Sequence, residues 1–298
     1  MFKTKRFTPE LLDRYRALGR GRGTMQDYVP WHRVGRSDPS SFGRSHLLMW
    51  RDRQRELLSD LEWEVSLFSV MQPHIEDLRE QFPLALESAP HELAAYDLRH
   101  VGPQYPGTES LAGLLQIKHP RVRGNGRSAP WVMTTDLVLT LKQAGRDREL
   151  VAIACKYDNA YQCKRTRELL ELERNYWAAR RVPWLLVAPS TYDKSVGLTL
   201  RHTFHWALCC AASQSERNAA IAVTEASPDR SITQIIDRLG SVVGSRTCAQ
   251  RAFWQAVWSA ELPLDLRRGW RPHIPPVRMA KAEFFALNPV VARRSAWI

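Results

Sequence analysis

The chain has 298 residues, 44% apolar and 25% charged, a composition that supports a packed core and excludes general disorder. Its formal charge is +12, yet residues 57–113 carry ten acidic and only two basic side chains between strongly basic stretches. Runs of about 18 apolar residues, which a membrane span needs, are absent, as are the apolar core of a secretory signal and any CxxC pair among the five cysteines. A cytoplasmic protein with reduced thiols, no membrane contact and no zinc finger is expected. The charge pattern fits a nucleic-acid partner beside a cluster of carboxylates, and equally a solvated basic surface with an acidic docking face.

In chain order, Pro9 to Leu18 reads as a helix, stopped by Gly19-Arg20-Gly21-Arg22-Gly23. A loop is expected through Pro30, Pro39 and Gly43. Leu58, Leu61, Val65 and Phe68 recur at helical spacing within Leu57 to Met71, and Ser59 with Glu62 forms a capping pair if that helix starts there. Residues 75–84 read as extended, and residues 87–130 carry no clear pattern. Trp131 to Leu141, Glu149 to Asp158 and Val182 to Pro189 are strand-like. A turn at Gln143 to Arg146 separates the first two, and a helix over Arg165 to Arg180 precedes the third. Strand, turn, strand, helix, strand indicates a mixed α/β domain over residues 1–190. Leu198 to Ala212, Ser231 to Val242, Cys248 to Leu262 and Lys281 to Leu287 then read as helices of a smaller, mostly helical domain over residues 191–298.

Two charged residues stand out in the apolar strands. Asp136 interrupts a strand, where period-2 alternation groups it with Val132, Thr134 and Val138; it reads as a site residue or as a cap at the strand end. Lys156 emerges from Val151 to Cys155, and lysine is rarely buried without a partner. An acid on one strand and a lysine on the next suit phosphodiester hydrolysis, in which carboxylates hold Mg²⁺ and the ammonium offsets phosphate charge. A second acid is needed. Glu62 borders the apolar stripe of its helix and fits either a sheet-facing position or a solvated edge.

Further motifs carry a resemblance. In order they are Gly19-Arg20-Gly21-Arg22-Gly23, Asp27-Tyr28-Val29-Pro30-Trp31, Gly43-Arg44-Ser45-His46, Leu57 to Glu62, Arg79 to Leu84, Lys118-His119-Pro120, Met133-Thr134-Thr135-Asp136, Leu170 to Trp177 and Pro183-Trp184. Together they span roughly residues 15–190, and this part resembles the TnsA transposition endonucleases. The resemblance implies a restriction-endonuclease-like N-terminal domain and a winged-helix-like C-terminal domain. It implies cutting at the 5′ ends of a mobile element in double-stranded DNA, beside a TnsB-like DDE transposase and a TnsC-like AAA+ regulator, with the protein on the nucleoid during transposition.

Carried over by motif, Glu62 and Asp136 are metal ligands with the backbone carbonyl of Cys155, and Lys156 is the catalytic lysine. Mg²⁺ is the expected ion, with Mn²⁺ able to replace it. The family's glutamine two residues before that lysine is Ala154 here. Alternation puts Ala154 on the same face as Lys156, so the loss is expected at the site. A stand-alone restriction or repair nuclease, or an impaired adaptor, are the alternative readings. Glu173 fits support of the metal site or an intrahelical pair with Arg167 or Arg174. Arg44, His46, Arg121, Arg123 and Arg127 suit contacts to DNA phosphates. Trp254, Trp258 and Trp270 suit a docking patch or a core cluster.

Overall fold

The computed structural model describes residues 7–36, 38 and 44–297. Lys3, Lys5 and Arg6 of the basic start, and Pro39 and Gly43 of the expected loop, lie outside the described residues.

The first helix is α1 (Pro9–Ala17), begun by Thr8, whose hydroxyl accepts from the Leu11 N–H, and by Pro9, which has no N–H to lose. A hairpin, β1 (His46–Trp50) and β2 (Arg53–Leu57), precedes α2 (Asp60–Val70) and β3 (Ile75–Pro83). The patternless stretch holds two small antiparallel pairs around a short helix. These are β4 (Ala89–Pro90) with β5 (Gln104–Tyr105), then α3 (Thr108–Leu114), then β6 (Arg121–Gly124) with β7 (Arg127–Pro130). β8 (Thr134–Leu141), β9 (Glu149–Cys155), α4 (Lys164–Ala179) and β10 (Trp184–Val187) follow as read from the sequence.

The main sheet has the order β10-β9-β8-β3; β10 runs parallel to β9 and the other neighbours are antiparallel. One face of the sheet presents Leu137, Leu139, Val151 and Ile153 to Leu61, Val65 and Phe68 of α2. The other presents Val138, Leu150 and Ala152 to Leu172, Tyr176 and Trp177 of α4. A sheet between two helical layers buries both faces, which is why β8, β9 and β10 are largely apolar.

The α2-side core continues into α5 (Lys194–Ala207), α6 (Gln214–Glu225), α7 (Ile232–Val243), α8 (Arg246–Trp258) and α9 (Lys281–Leu287). α7 ends at Gly244 in a left-handed conformation (φ +89°), and Ser245 caps α8. Beyond α8 the chain folds back on itself through one isolated bridge, Leu264 to Arg278. Trp254 and Trp258 are buried in α8, and Trp270 packs partly buried against them, so this cluster belongs to the core. Finally the chain returns to the sheet edge, where the Ala296 N–H donates to the Leu186 carbonyl at 2.7 Å and Trp297 meets Trp184 edge-on.

β2 gave no strand signal because it is charged. Arg53, Arg55 and Glu56 are all buried. The Arg53 guanidinium donates through both terminal nitrogens to Glu80 of β3, at 2.6 and 2.7 Å, and Arg55 lies 3.9 Å from the buried Asp77. Removing one partner of a buried bidentate pair strands the other charge, at a cost of about 3–5 kcal/mol. Glu80→Ala is therefore expected to lower the unfolding free energy in urea by about 3 kcal/mol or more. The double variant Arg53→Met with Glu80→Leu should recover most of it; a double variant as unstable as the single would contradict the pairing.

Candidate active site

The site lies where the β8–β9 ladder stops. The last paired residues are Leu137 and Ile153. Beyond them, the Cys155 N–H donates to the Asp136 carboxylate at 2.7 Å, while β9 stays attached to β10, the Lys156 N–H reaching the Val187 carbonyl. The strands part, and a side chain takes the place of the backbone acceptor. Lys156 then bends back, its Nζ donating to Asp136 Oδ2 at 2.8 Å and to the Cys155 carbonyl at 2.9 Å. Asp136 is 8% exposed. Burial alone would lower the lysine's pKa, but Asp136 and then Glu173 outweigh it and hold the ammonium firmly protonated.

Strict alternation fails here. Val138 packs against α4, and so does Thr135 three residues earlier, its hydroxyl accepting from Trp177 Nε1 at 2.8 Å. Period 2 cannot put both on one side, so the expected grouping of Asp136 with Val132, Thr134 and Val138 does not hold. The neighbouring strand breaks at the same level: Gln81 of β3 is left-handed (φ +47°). Its amide crosses to the α2 side, donating to Glu62 at 3.0 Å and accepting from Thr134 at 3.3 Å. Nothing in the apolar pattern marks Gln81, since its role comes from a backbone dihedral.

Glu62 is placed by the start of α2. Ser59 caps the helix, accepting from the Glu62 N–H at 3.1 Å. The expected reciprocal contact is shifted by one residue, with Glu62 Oε2 accepting from the Leu58 N–H at 2.8 Å. The side chain is thereby turned inward and is 8% exposed. Burial first, and the Asp136 charge second, push its pKa up to about 7. Glu173 approaches from α4, also buried, and is pushed up to about 7 by burial and then by Asp136. Its Oε1 accepts from Thr135 at 2.8 Å and from Trp184 Nε1 at 3.2 Å. Arg174 pairs instead with Glu171 and Arg167 lies over Trp297, so the intrahelical pairing of Glu173 is not formed.

The structure thus gathers Glu62, Asp136, Lys156, the Cys155 carbonyl and Glu173 around one sheet end. Two buried carboxylates whose mutual repulsion raises a pKa, beside a backbone carbonyl that here accepts from Lys156, are an oxygen donor set that suits a hard divalent cation. Among the described residues, no group of three or more His, Cys, Asp and Glu side chains lies close enough together to hold a metal. The oxygen donors that such a site would have here are two acids and a carbonyl.

Ala154 differs from expectation. It is fully buried against Leu170 and Leu186, with Tyr161, Trp184 and Trp297 packed around that cluster, so its methyl is sealed in apolar packing. Of the five phosphate-contact candidates, Arg44 and His46 bond to Asp60 at 3.3 and 2.7 Å, and His46 stacks on Trp63. Arg121, Arg123 and Arg127 sit together on the β6–β7 hairpin. An open cleft of about 670 Å³ runs beside the site, lined by Asp60, Glu64, Tyr157, Tyr192, Lys194 and Arg201.

The raised Glu62 value predicts a pH dependence. The native carboxyl, near 7, binds its proton more tightly than an ordinary one near 4.5. Stability is therefore gained as pH falls from about 7 to about 4.5 and lost as it rises through that window. In chelator, melting temperatures of wild type and Glu62→Gln measured across this range should diverge, the wild type gaining relative to the variant as pH falls. Mg²⁺ should raise the wild-type melting temperature more at pH 8 than at pH 5. Parallel curves would contradict the placement of Glu62.

Residues 72–188 match the model of the family described as TnsA-like endonuclease N terminal. The chain is 35% identical over 190 residues to the Transposon Tn7 transposition protein TnsA of Escherichia coli, a match taking in 63% of this chain and 58% of that protein. The chain thus spans a little over half the length of this curated relative. Asp136, Cys155, Lys156 and Glu173 fall inside the matched residues, and Glu62 precedes them. Over residues 72–188, this chain is similar to the TnsA-like endonucleases.

Proposed function

We propose that the chain is a Mg²⁺-dependent DNA endonuclease that cuts the 5′ ends of a transposable element. It would act as the TnsA-type subunit beside a TnsB-like DDE transposase and a TnsC-like AAA+ regulator. The observation that carries this reading is the meeting of Lys156 with Asp136 at the open end of the sheet, with Glu62 close enough for the Asp136 charge to raise its pKa.

In this reading Glu62, Asp136 and the Cys155 carbonyl hold the ion, and Mn²⁺ is able to replace Mg²⁺. When bound, the metal polarises the phosphate and acidifies a water. The protein's own groups do the rest. The Lys156 ammonium faces the phosphate oxygens, where negative charge grows during attack; being protonated, it serves as a fixed cation and not as a base. Gln81 restrains Glu62, while Glu173 holds Thr135 and thereby the backbone next to Asp136. For the C-terminal part, the succession of α6, α7 and α8 followed by the Leu264–Arg278 bridge favours a winged-helix-like module that docks partners or DNA.

The test is strand cleavage of an end-labelled element with the companion transposase and regulator present or withheld. Asp136→Asn and Lys156→Ala should each lose at least about a hundredfold in 5′-strand nicking while melting as folded proteins. Full cutting by folded Asp136→Asn would overturn the site. Cutting by the chain alone, independent of companions, would favour a stand-alone nuclease.

A further inference from the structure

We infer that the β6–β7 hairpin and the flank of α1 beside it form a basic ridge that grips the backbone of duplex DNA next to the nick. The inference rests on the endonuclease reading above and names the surface that would position its substrate.

The hairpin is firmly based. Val122 and Ala129 pack inward on Leu12 and Tyr15 of α1, and Gly124 is so close to Thr8 that a Cβ there would lie 2.9 Å from that side chain. Alternation then sends Arg121 and Arg123 to the outer face, and both are exposed. Arg121 leans on Ser128 across the hairpin at 3.1 Å, and Arg127 at the tip reaches Asp13 at 3.2 Å and Glu10 at 3.8 Å. Arg14 stands four residues after Glu10, hence on the flank that Arg127 touches. The side chains of Arg14 and Arg123 are exposed and make no ion pair or hydrogen bond among the described residues.

Cations without partners differ in consequence from paired ones. Arg44 and His46 are already engaged by Asp60, whereas the Arg14 and Arg123 side chains are exposed and pair with no acid among the described residues. The Arg127–Asp13 contact is 59% and 49% exposed, and such surface pairs yield easily to a phosphate. α1 covers the inner face of the hairpin, leaving only the outer face free. That arrangement suits straddling a phosphate backbone and does not suit inserting a two-stranded ribbon into a groove, so the grip should be independent of sequence.

The ridge is also tied to the site. The chain leaves β7 at Pro130 and reaches Asp136 six residues later, a span of at most about 20 Å in extended form. Along B-DNA that is about six base-pair steps. The Trp131 N–H holds the Pro120 carbonyl, and the Leu84 N–H holds the Met133 carbonyl, so this connection is fastened at both ends.

The experiment measures binding of a 30-base-pair duplex to the full chain carrying Asp136→Asn, which separates binding from cutting, by fluorescence anisotropy over a range of salt. The double variant Arg121→Ala with Arg123→Ala should reduce the slope of log K against log salt by about 1.8, and weaken binding on the order of 50-fold at 0.1 M salt. Arg14→Ala alone should reduce the slope by about 0.9, and the Lys versions should restore it. Unchanged affinity and slope in folded variants would overturn the ridge while leaving the nuclease reading intact, provided the otherwise wild-type chain still nicks DNA. A chain that neither binds duplex nor nicks it with the companion transposase and regulator present would overturn both.

Discussion

One carboxylate holds the arrangement together. Asp136 takes the N–H of Cys155, which the ladder between β8 and β9 would otherwise have used, and in doing so lets the two strands separate without leaving a buried donor unpaired. The same oxygen receives the Lys156 ammonium. Opening the sheet and recruiting the cation are therefore one event. Without the acid, the Cys155 N–H and the lysine would both be stranded at the edge of an apolar sheet, where unmet polar groups are costly.

The surroundings press negative charge toward this point from both sides. Glu62 comes in from α2 and Glu173 from α4, each buried and each raised in pKa with Asp136 as the second cause after burial. Stability alone does not call for three carboxyl groups around one lysine, and strongly perturbed acids at a sheet end are the signature of a functional site. The local strain points the same way. Gln81, left-handed between two extended neighbours, spends backbone energy to bring its amide to Glu62. The buried Arg53–Glu80 pair secures β2 against β3 just behind it, so the frame around the site is held by directional contacts as well as by apolar packing.

Much of this was legible in the residues. The apolar runs of β8, β9 and β10, the stripes of α2 and α4, and the resemblance over residues 15–190 suffice to bring Glu62, Asp136 and Lys156 together. Four features were not legible, each for a physical reason. β2 is charged because its arginines are buried against acids on another strand, a long-range fact that a local pattern cannot carry. The face assignment near Asp136 fails because a left-handed residue and a parted ladder break the period of two. Ala154, read as a loss at the site, lies instead in a small apolar cluster completed by Trp297, which comes from the far end of the described chain. α6 was passed over as well: its Ser213–Glu216 capping box is present, but the helix is mostly polar outward and buries little.

The central claim is that Glu62 and Asp136 form the seat of a divalent ion, and calorimetric titration with Mn²⁺ in the absence of DNA tests it most directly. At pH 6.5 saturable binding accompanied by proton release is expected, because a Glu62 carboxyl with a pKa raised to about 7 would give up its proton to the ion, and both signals should be lost in Asp136→Asn. Absence of saturable uptake by the folded wild-type chain, or uptake undiminished in that variant, would contradict it.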